Sequence, residues 1–242
     1  MTIQDIIDRY DNIVFFGGAG VSTRSGIPDF RGKNGIYKRK KKFSECADRV
    51  LSLSFFNEHK AEFYNFFREY CIYKSAKPNI VHEKLADLEK TGKLKAIITQ
   101  NIDGLHQKAG SKNVIEIHGS AYKSKCINCE KEYNTLDIIG DNEVSDYVPK
   151  CNCGGYIKPC VTLYEESLDD DKYCSAMEYI NKCQALIVGG TSLIVPPASR
   201  LIDYFSGDIM VLINETSIPL AGKFDSVILD DICNVFNGLI IR

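Results

Sequence analysis

The apolar positions of this chain fall in short, dense runs. NIVFF (12–16), LKAIIT (94–99), NVIEI (113–117), ALIVGG (185–190), IMVLIN (209–214) and SVILD (226–230) are all rich in Ile, Val and Leu. None alternates strictly and none is long enough for an ordinary helix, so each reads as a strand of a buried parallel sheet. Between them the period changes. Phe55, His59, Phe63, Phe66, Phe67 and Tyr70 recur at three- and four-residue steps, the spacing of one helical face. PNIVHEKLADLEKTGK opens on Pro78 and closes at Gly92, as a capped helix does. DICNVFNGL offers Asp231 as an N-cap. Strands alternating with helices predict an α/β fold, a doubly wound, Rossmann-like parallel sheet.

One stretch breaks the alternation. Residues 120–160 hold CINCE and CNCGG, and are expected to form a small insert in a core made of 1–119 and 161–242. Cys126 and Cys129 form a C-x-x-C pair; Cys151 and Cys153 form a tighter C-x-C pair, with 21 residues between Cys129 and Cys151. Two close pairs at that separation fit a four-thiolate zinc ribbon. Four thiolates leave the metal no open position, so its role would be structural. The other six cysteines, Cys46, Cys71, Cys160, Cys174, Cys183 and Cys233, follow no framework spacing. MTIQDIIDRY is acidic and amphipathic rather than an export signal, so these read as reduced thiols of a cytoplasmic protein.

Composition narrows the partners. At 242 residues and 44% hydrophobic, the chain can bury the core of one large domain. A net charge of −2 gives no global field for nucleic acid. No apolar run reaches the ~18 residues of a membrane span. KRKKK (38–42) is the one charge run, either a solvated loop or an attraction for a phosphate-bearing ligand.

The candidate chemistry sits at strand ends. FFGGAGVSTRSGIPDFRG (15–32) follows the first strand, with Gly18 and Gly20 in the first two slots of a dinucleotide loop and Thr23 in the third. Glycines there let backbone N–H groups approach a diphosphate. Asp29, Phe30 and Arg31 add a ring and a guanidinium fork, more than a turn requires. TQNIDGLHQKAG (99–110) brings Gln100, Asn101 and Asp103 to the carboxyl end of the second strand, where open α/β sheets bind ligands. His118, ending VIEIH, suits a general base; His59, His82 and His106 fall on helical patterns and read as structural. Gly189, Gly190, Thr191 and Ser192 end one later strand, and Asn214 and Glu215 the next.

GAGVSTRSGIPDFRG, TQNIDGLH, IHG, the two cysteine pairs and GTSL occur in the order and at the spacings of the sirtuins, which the chain resembles over nearly its whole length. The resemblance implies an NAD-dependent protein lysine deacylase that yields nicotinamide, free lysine and O-acyl-ADP-ribose. It implies that Gly18, Ala19, Gly20 and Thr23 line the diphosphate, and that Phe30, Arg31 and Tyr37 belong to a cofactor loop. Gln100 and Asn101 would face the nicotinamide-side ribose; Ile102 and Asp103 would hold the carboxamide. His118 would activate a ribose hydroxyl, with Asn101 beside it in catalysis. Gly190, Thr191, Ser192, Asn214 and Glu215 would contact the adenosine half, with Asp231 or Ile232 flanking the adenine. Cys126, Cys129, Cys151 and Cys153 would bind one zinc ion. The partner would be an acylated lysine, its backbone lying along Val161, Leu163, Tyr164 and Glu165, and the chain is expected to act as a monomer.

The sequence departs from the family in one place. Where sirtuins pair with substrate through a stretch ending Phe-Gly-Glu, this chain reads VTLYEE, with Glu165 in the glycine slot. A carboxylate there is expected to favour basic peptides. No Tyr-x-x-Arg pair follows the cofactor loop to hold an acidic acyl chain, so acetyl or apolar acyl groups are favoured. Two other readings remain open on the sequence: mono-ADP-ribosyl transfer or NAD hydrolysis at the same site, and an NAD-sensing module without turnover.

Overall fold

The structure is a computed structural model that describes residues 1–29, 35, 47–140 and 146–242. All six apolar runs become strands of one parallel sheet. These are β1 (Ile13–Gly17), β2 (Leu94–Thr99), β3 (Val114–Glu116), β7 (Ala185–Gly189), β8 (Ile209–Asn214) and β9 (Ser226–Leu229), in the order β3-β2-β1-β7-β8-β9. The winding reverses between β1 and β7, both buried along their whole length.

Alternate residues divide two cores. Phe15, Ile97, Val211 and Ile213 face helices Ile3–Arg9, Ile80–Lys90 and Ile232–Asn237. Val14, Phe16, Ile98, Val188 and Leu212 face helix Asp170–Lys182 and the turn Ala198–Tyr204. The caps at Asp231 and Gly92 fall where the sequence puts them, while the helix expected to open on Pro78 starts at Ile80, after Asn79. The Asp231 side chain accepts from Cys233 N at 2.8 Å, Asn79 caps Ile80–Lys90, and Gly92 (φ +78°) follows that helix.

The aromatic segment after residue 52 is two helices, Leu53–Glu58 and Lys60–Tyr70, not one. His59 leaves helical geometry (φ −129°, ψ 52°); its N–H closes the first helix on Phe55 O and its C=O starts the second at Phe63 N. The bend lets Phe56, Phe63 and Tyr64 meet edge to face.

A smaller antiparallel sheet follows β3: β4 (Gly119–Cys126), β5 (Glu132–Asn134) and β6 (Ile157–Val161), in the order β5-β4-β6. Its inner residues Ala121, Val161 and the following Leu163 share a core with the aromatic helices. The chain enters it through Gly119, at φ +78°, where a Cβ would stand 1.9 Å from Cys160 O. Only glycine fits that passage.

Candidate active site

The carboxyl ends of β1, β2 and β7 converge at the point of reversal, the position where open α/β sheets bind ligands. Two loops interlock there. A Cβ on Gly18 would stand 2.7 Å from Thr191 Cβ, and one on Gly20 2.8 Å from Gly190 Cα. The N–H groups of Gly18 and Gly20, expected to face a diphosphate, donate instead to Gly189 O (3.2 Å) and Gly190 O (2.8 Å). The glycines therefore mesh two strand ends into one floor. Gln100 ties the third end to it, its side-chain amide donating to Thr191 Oγ1 at 3.1 Å and its N–H to Gly17 O. Thr23 turns inward, its hydroxyl donating to Gly20 O at 3.0 Å.

Beside this floor runs a chain of polar side chains. Asn101 Nδ2 donates to Gly18 O (3.0 Å) and to Ser22 Oγ (3.1 Å). The Ser22 hydroxyl donates to Asp103 Oδ2 (2.6 Å), and Leu105 N–H donates to Oδ1 (2.9 Å). Asp103 is buried, and burial raises its pKa against those two hydrogen bonds, which lower it. His118 stands between the two sheets, its Nδ1 2.9 Å from Gln100 O. A carbonyl only accepts, so Nδ1 carries the proton and the neutral ring keeps the Nε2 lone pair. Burial pulls the His118 pKa below 6.5, partly offset by that hydrogen bond. The ring is thus neutral at physiological pH and able to take a proton.

The four clustered cysteines come together at the far end of the small sheet, all Sγ atoms within 4.8 Å of one another. Cys126 and Cys153 are 3.5 Å apart, Cys129 and Cys151 3.6 Å. Tetrahedral zinc at about 2.3 Å from each sulfur spaces its ligands about 3.8 Å apart, so the donor set fits that metal. Hydrogen bonds from the Cys153 backbone and then from the Tyr133 hydroxyl (3.0 Å from Cys151 Sγ) bring the Cys151 thiol down to about 6. The Cys126 thiol is lowered too, first by the Cys129 backbone. Metal binding needs thiolates.

A model of the Sir2 family matches residues 18–197, which span the loop floor, the polar chain, His118 and the cysteine cluster. The chain belongs to the Sir2 family. Curated relatives agree. The NAD-dependent protein deacetylase of Clostridium tetani is 52% identical over 98% of this chain and 96% of its own. That of Cutibacterium acnes is 46% identical over 93% and 90%. Among solved structures, a Sir2 complex with a deacetylated p53 peptide and 3'-O-acetyl ADP ribose superposes at TM-score 0.88 with 38% identity, covering 98% of this chain and 96% of that one. A complex of Sir2 with p53 peptide and NAD+ gives 0.86 at 37% identity, covering 97% and 94%.

Within this Sir2 chain the remaining sequence candidates fall into groups. Phe30, Arg31 and Tyr37 lie outside the described residues. Ala19 and Ile102 flank the network, and Ser192 follows Thr191 on the β7 loop, half-buried. Asn214 ends β8, its amide turned to Thr216 O, and Glu215 beyond it is exposed. The Asp231 carboxylate is engaged by Arg24 Nε at 2.6 Å, and Ile232 is buried near Gly189. Val161 and Leu163 are buried, and Tyr164 and Glu165 exposed. Tyr164 bonds through its backbone to Leu51 O and Leu53 N–H. Glu165 holds φ +73°, and its carboxylate accepts from Ser54 N and Ser54 Oγ, both at 2.9 Å.

Two residues escaped the sequence reading. Ser22 joins Asn101 to Asp103, and Arg24 ties the loop to the last helix. Ser22 is a small hydroxyl whose burial no pattern announces. Arg24 had a signal: it is a cation in a loop otherwise built for close approach.

Proposed function

We propose that the chain is an NAD-dependent protein lysine deacetylase, active on acetyl and apolar acyl groups, with His118 as its base. The observation that carries this is the fixed tautomer of His118 beside the Asn101–Ser22–Asp103 chain. NAD is the co-substrate: its nicotinamide is released, the acyl group passes to the ribose, and water completes the release of free lysine. Gln100 and Asn101 orient the ribose from the floor of the cleft. Asp103, kept in place by Ser22 and Leu105, holds the carboxamide of the leaving nicotinamide. His118 Nε2 takes the proton of a ribose hydroxyl so that it attacks the transferred acyl carbon. Gly190, Thr191, Ser192, Asn214 and Glu215 line the adenosine end, and residues 161–165 line the peptide.

Cys126, Cys129, Cys151 and Cys153 would hold one zinc ion, which supplies cross-linking of the small sheet rather than chemistry. No helix among the described residues is long and apolar enough to cross a membrane. The setting we propose is cytoplasmic, where the cysteines outside the cluster would stay reduced thiols. We take the enzyme to work as a monomer, which sedimentation at working concentration tests.

The decisive assay is nicotinamide release with and without a panel of acyl-lysine peptides. Release that requires an acetylated peptide, with stoichiometric O-acetyl-ADP-ribose, supports the reading. Equal release without peptide would make the chain an NAD hydrolase instead.

A further inference from the structure

Unpartnered polar atoms gather under the loop that carries Asn101 and Asp103. Among the described residues, the buried side-chain nitrogens and oxygens without a hydrogen-bond partner are His82 Nε2, both ring nitrogens of His106, and Ser111 Oγ. All three residues are almost sealed from solvent, at 0%, 1% and 5% exposure. They are also neighbours. The rings of His82 and His106 lie 4.7 Å apart at 54°, and Ser111 N–H donates to His106 O. Phe15 of β1 packs on the other side of His106, 6.3 Å between centroids.

Buried polar atoms left unsatisfied are costly and rare, so four in one spot require an account. The donors and acceptors can be counted. Asn79 N–H donates to His82 Nδ1 at 3.2 Å, which makes Nδ1 the acceptor and puts the ring proton on Nε2. His82 Nε2 is therefore an unmet donor. His106, neutral, offers one donor and one acceptor whichever tautomer it takes; Ser111 offers one donor and two acceptor positions. The two rings do not bond to each other directly. One water molecule would close the set, accepting from His82 Nε2–H and donating to the acceptor nitrogen of His106. The second hydrogen of that water would be left for Ser111 Oγ, which has no partner of its own. Buried waters typically make two to four such bonds.

We propose that His82, His106 and Ser111 enclose a resident internal water, and that this hydrated pair positions the loop 99–106. The second half rests on the deacetylase reading. His106 is three residues from Asp103 and lies on the short helix Leu105–Lys108, whose first N–H is held by Asp103. His82 lies on the rigid helix Ile80–Lys90 behind it. The water-bridged rings thus fix the height of that short helix, and with it the carboxylate of Asp103 and the amide of Asn101. His82 and His106 are positioning residues, since neither reaches the cleft.

A crystal structure of the full chain, at a resolution showing ordered solvent, tests the water without reference to turnover. A peak within hydrogen-bonding distance of both His82 Nε2 and a His106 nitrogen supports it; a dry contact between the rings overturns it. The positioning role is read as an affinity against rate split. His106→Phe should weaken NAD binding by about 3- to 30-fold, the usual reach of a residue that does not touch the ligand. His106→Gln, which keeps a polar partner, should recover most of it. A merely destabilised protein would lose active fraction and hence kcat, with NAD affinity unchanged, and that result overturns the role. Should His106→Phe fail to fold, Ser111→Ala carries the same test, and unchanged NAD affinity in that variant is equally fatal. If the wild type shows the water but no acyl-lysine turnover, it is the functional reading that fails.

Discussion

The two sheets of this protein are held together by different means. The six-stranded sheet buries two apolar cores, one on each face, and its central strands are inaccessible along their length. The three-stranded sheet packs its near end on the aromatic helices, but among the described residues its far end has a core of only Cys126, Cys151 and Ile157, with Tyr133 and Ile138 against them. Three short strands with so little apolar burial are not stable alone. The difference teaches where metal is needed: at the end of a small sheet that hydrophobic burial does not reach.

Breaking the comparison at that end should give the largest effect. Cys126→Ala or Cys151→Ala, or stripping metal with a chelator, should unfold β5 and the cysteine end of β4, because metal-binding energy here is folding energy. The six-stranded sheet should survive. Hydrogen exchange read by segment checks this: protection lost over 123–134 and 150–158 but kept in β1, β7 and β8. Uniform loss across both sheets would show that they do not stand apart, and zinc-free protein with an intact small sheet would show that metal is not its cross-link.

The joint between the sheets is His118, and there the expected effect is on rate. Its N-terminal neighbours end β3, Gly119 begins β4, its ring binds Gln100 O, and its own carbonyl accepts from Thr162 N. His118→Ala should fold, hold metal and bind NAD. Deacetylation should fall by about 10²–10⁴, the usual weight of a positioned base. Nicotinamide exchange with an acyl-peptide present should fall less, since the first bond break needs no proton moved to His118. In the wild type, the acid limb of the pH–rate profile should lie below 6.5, because burial lowers the His118 pKa. Near-normal deacetylation by His118→Ala would remove the base from the scheme.

Much of the large sheet was legible because its signals are local. Each strand is a dense apolar run, four of the six closed by Gly, Asn or Asp, and Asp231 and Gly92 sit where helices begin and end. The cysteine pairs were legible because metal spacing is written in the sequence. What was not legible depends on tertiary neighbours. The break at His59 follows from how Phe56, Phe63 and Tyr64 fit together, not from any breaker residue. That the Gly18 and Gly20 N–H groups bond Gly189 O and Gly190 O needed the β7 loop in place, and Ser22 acquires its bonds only when residues 79 and 81 positions away fold beside it. Likewise, reading His82 and His106 as structural was all that helical spacing allowed; their contact crosses between two helices.

That buried pair gives the large sheet its own point of weakness. Burial lowers the His82 pKa to about 4, and that of His106 well below 6.5 through burial and then the charge of His82. The folded state therefore holds these rings neutral while the unfolded chain binds protons below about 6.5. Stability is full above that pH and falls as pH drops from there toward about 4, by roughly 3 kcal/mol for His82 alone. Denaturant titrations at stepped pH check it. His82→Leu, if folded, should flatten that slope; an unchanged slope would place the acid sensitivity elsewhere.

The smallest effect is expected at Glu165, where the segment proposed to line the peptide meets the aromatic helices. Its backbone sits at φ +73°, a conformation that costs a non-glycine residue about 1 kcal/mol or more. Its carboxylate recovers a similar amount by accepting Ser54 N–H and Oγ–H at the start of helix Leu53–Glu58, where negative charge is favourable. Glu165→Gly removes both terms, so stability should change by less than about 1 kcal/mol. Peptide choice should respond more clearly. The carboxylate remains exposed while bound to Ser54, and a rim charge attracts basic neighbours of the acyl-lysine chiefly through a salt-sensitive term. Glu165→Gln separates the two roles, since it keeps an acceptor for Ser54 and the same backbone strain but loses the charge. Both variants should narrow the kcat/KM gap between basic and acidic peptides at low salt, and only in the wild type should added salt narrow it further. A gap that closes in the glycine variant but not in the glutamine one would mean that Glu165 acts by holding the helix, not by its charge.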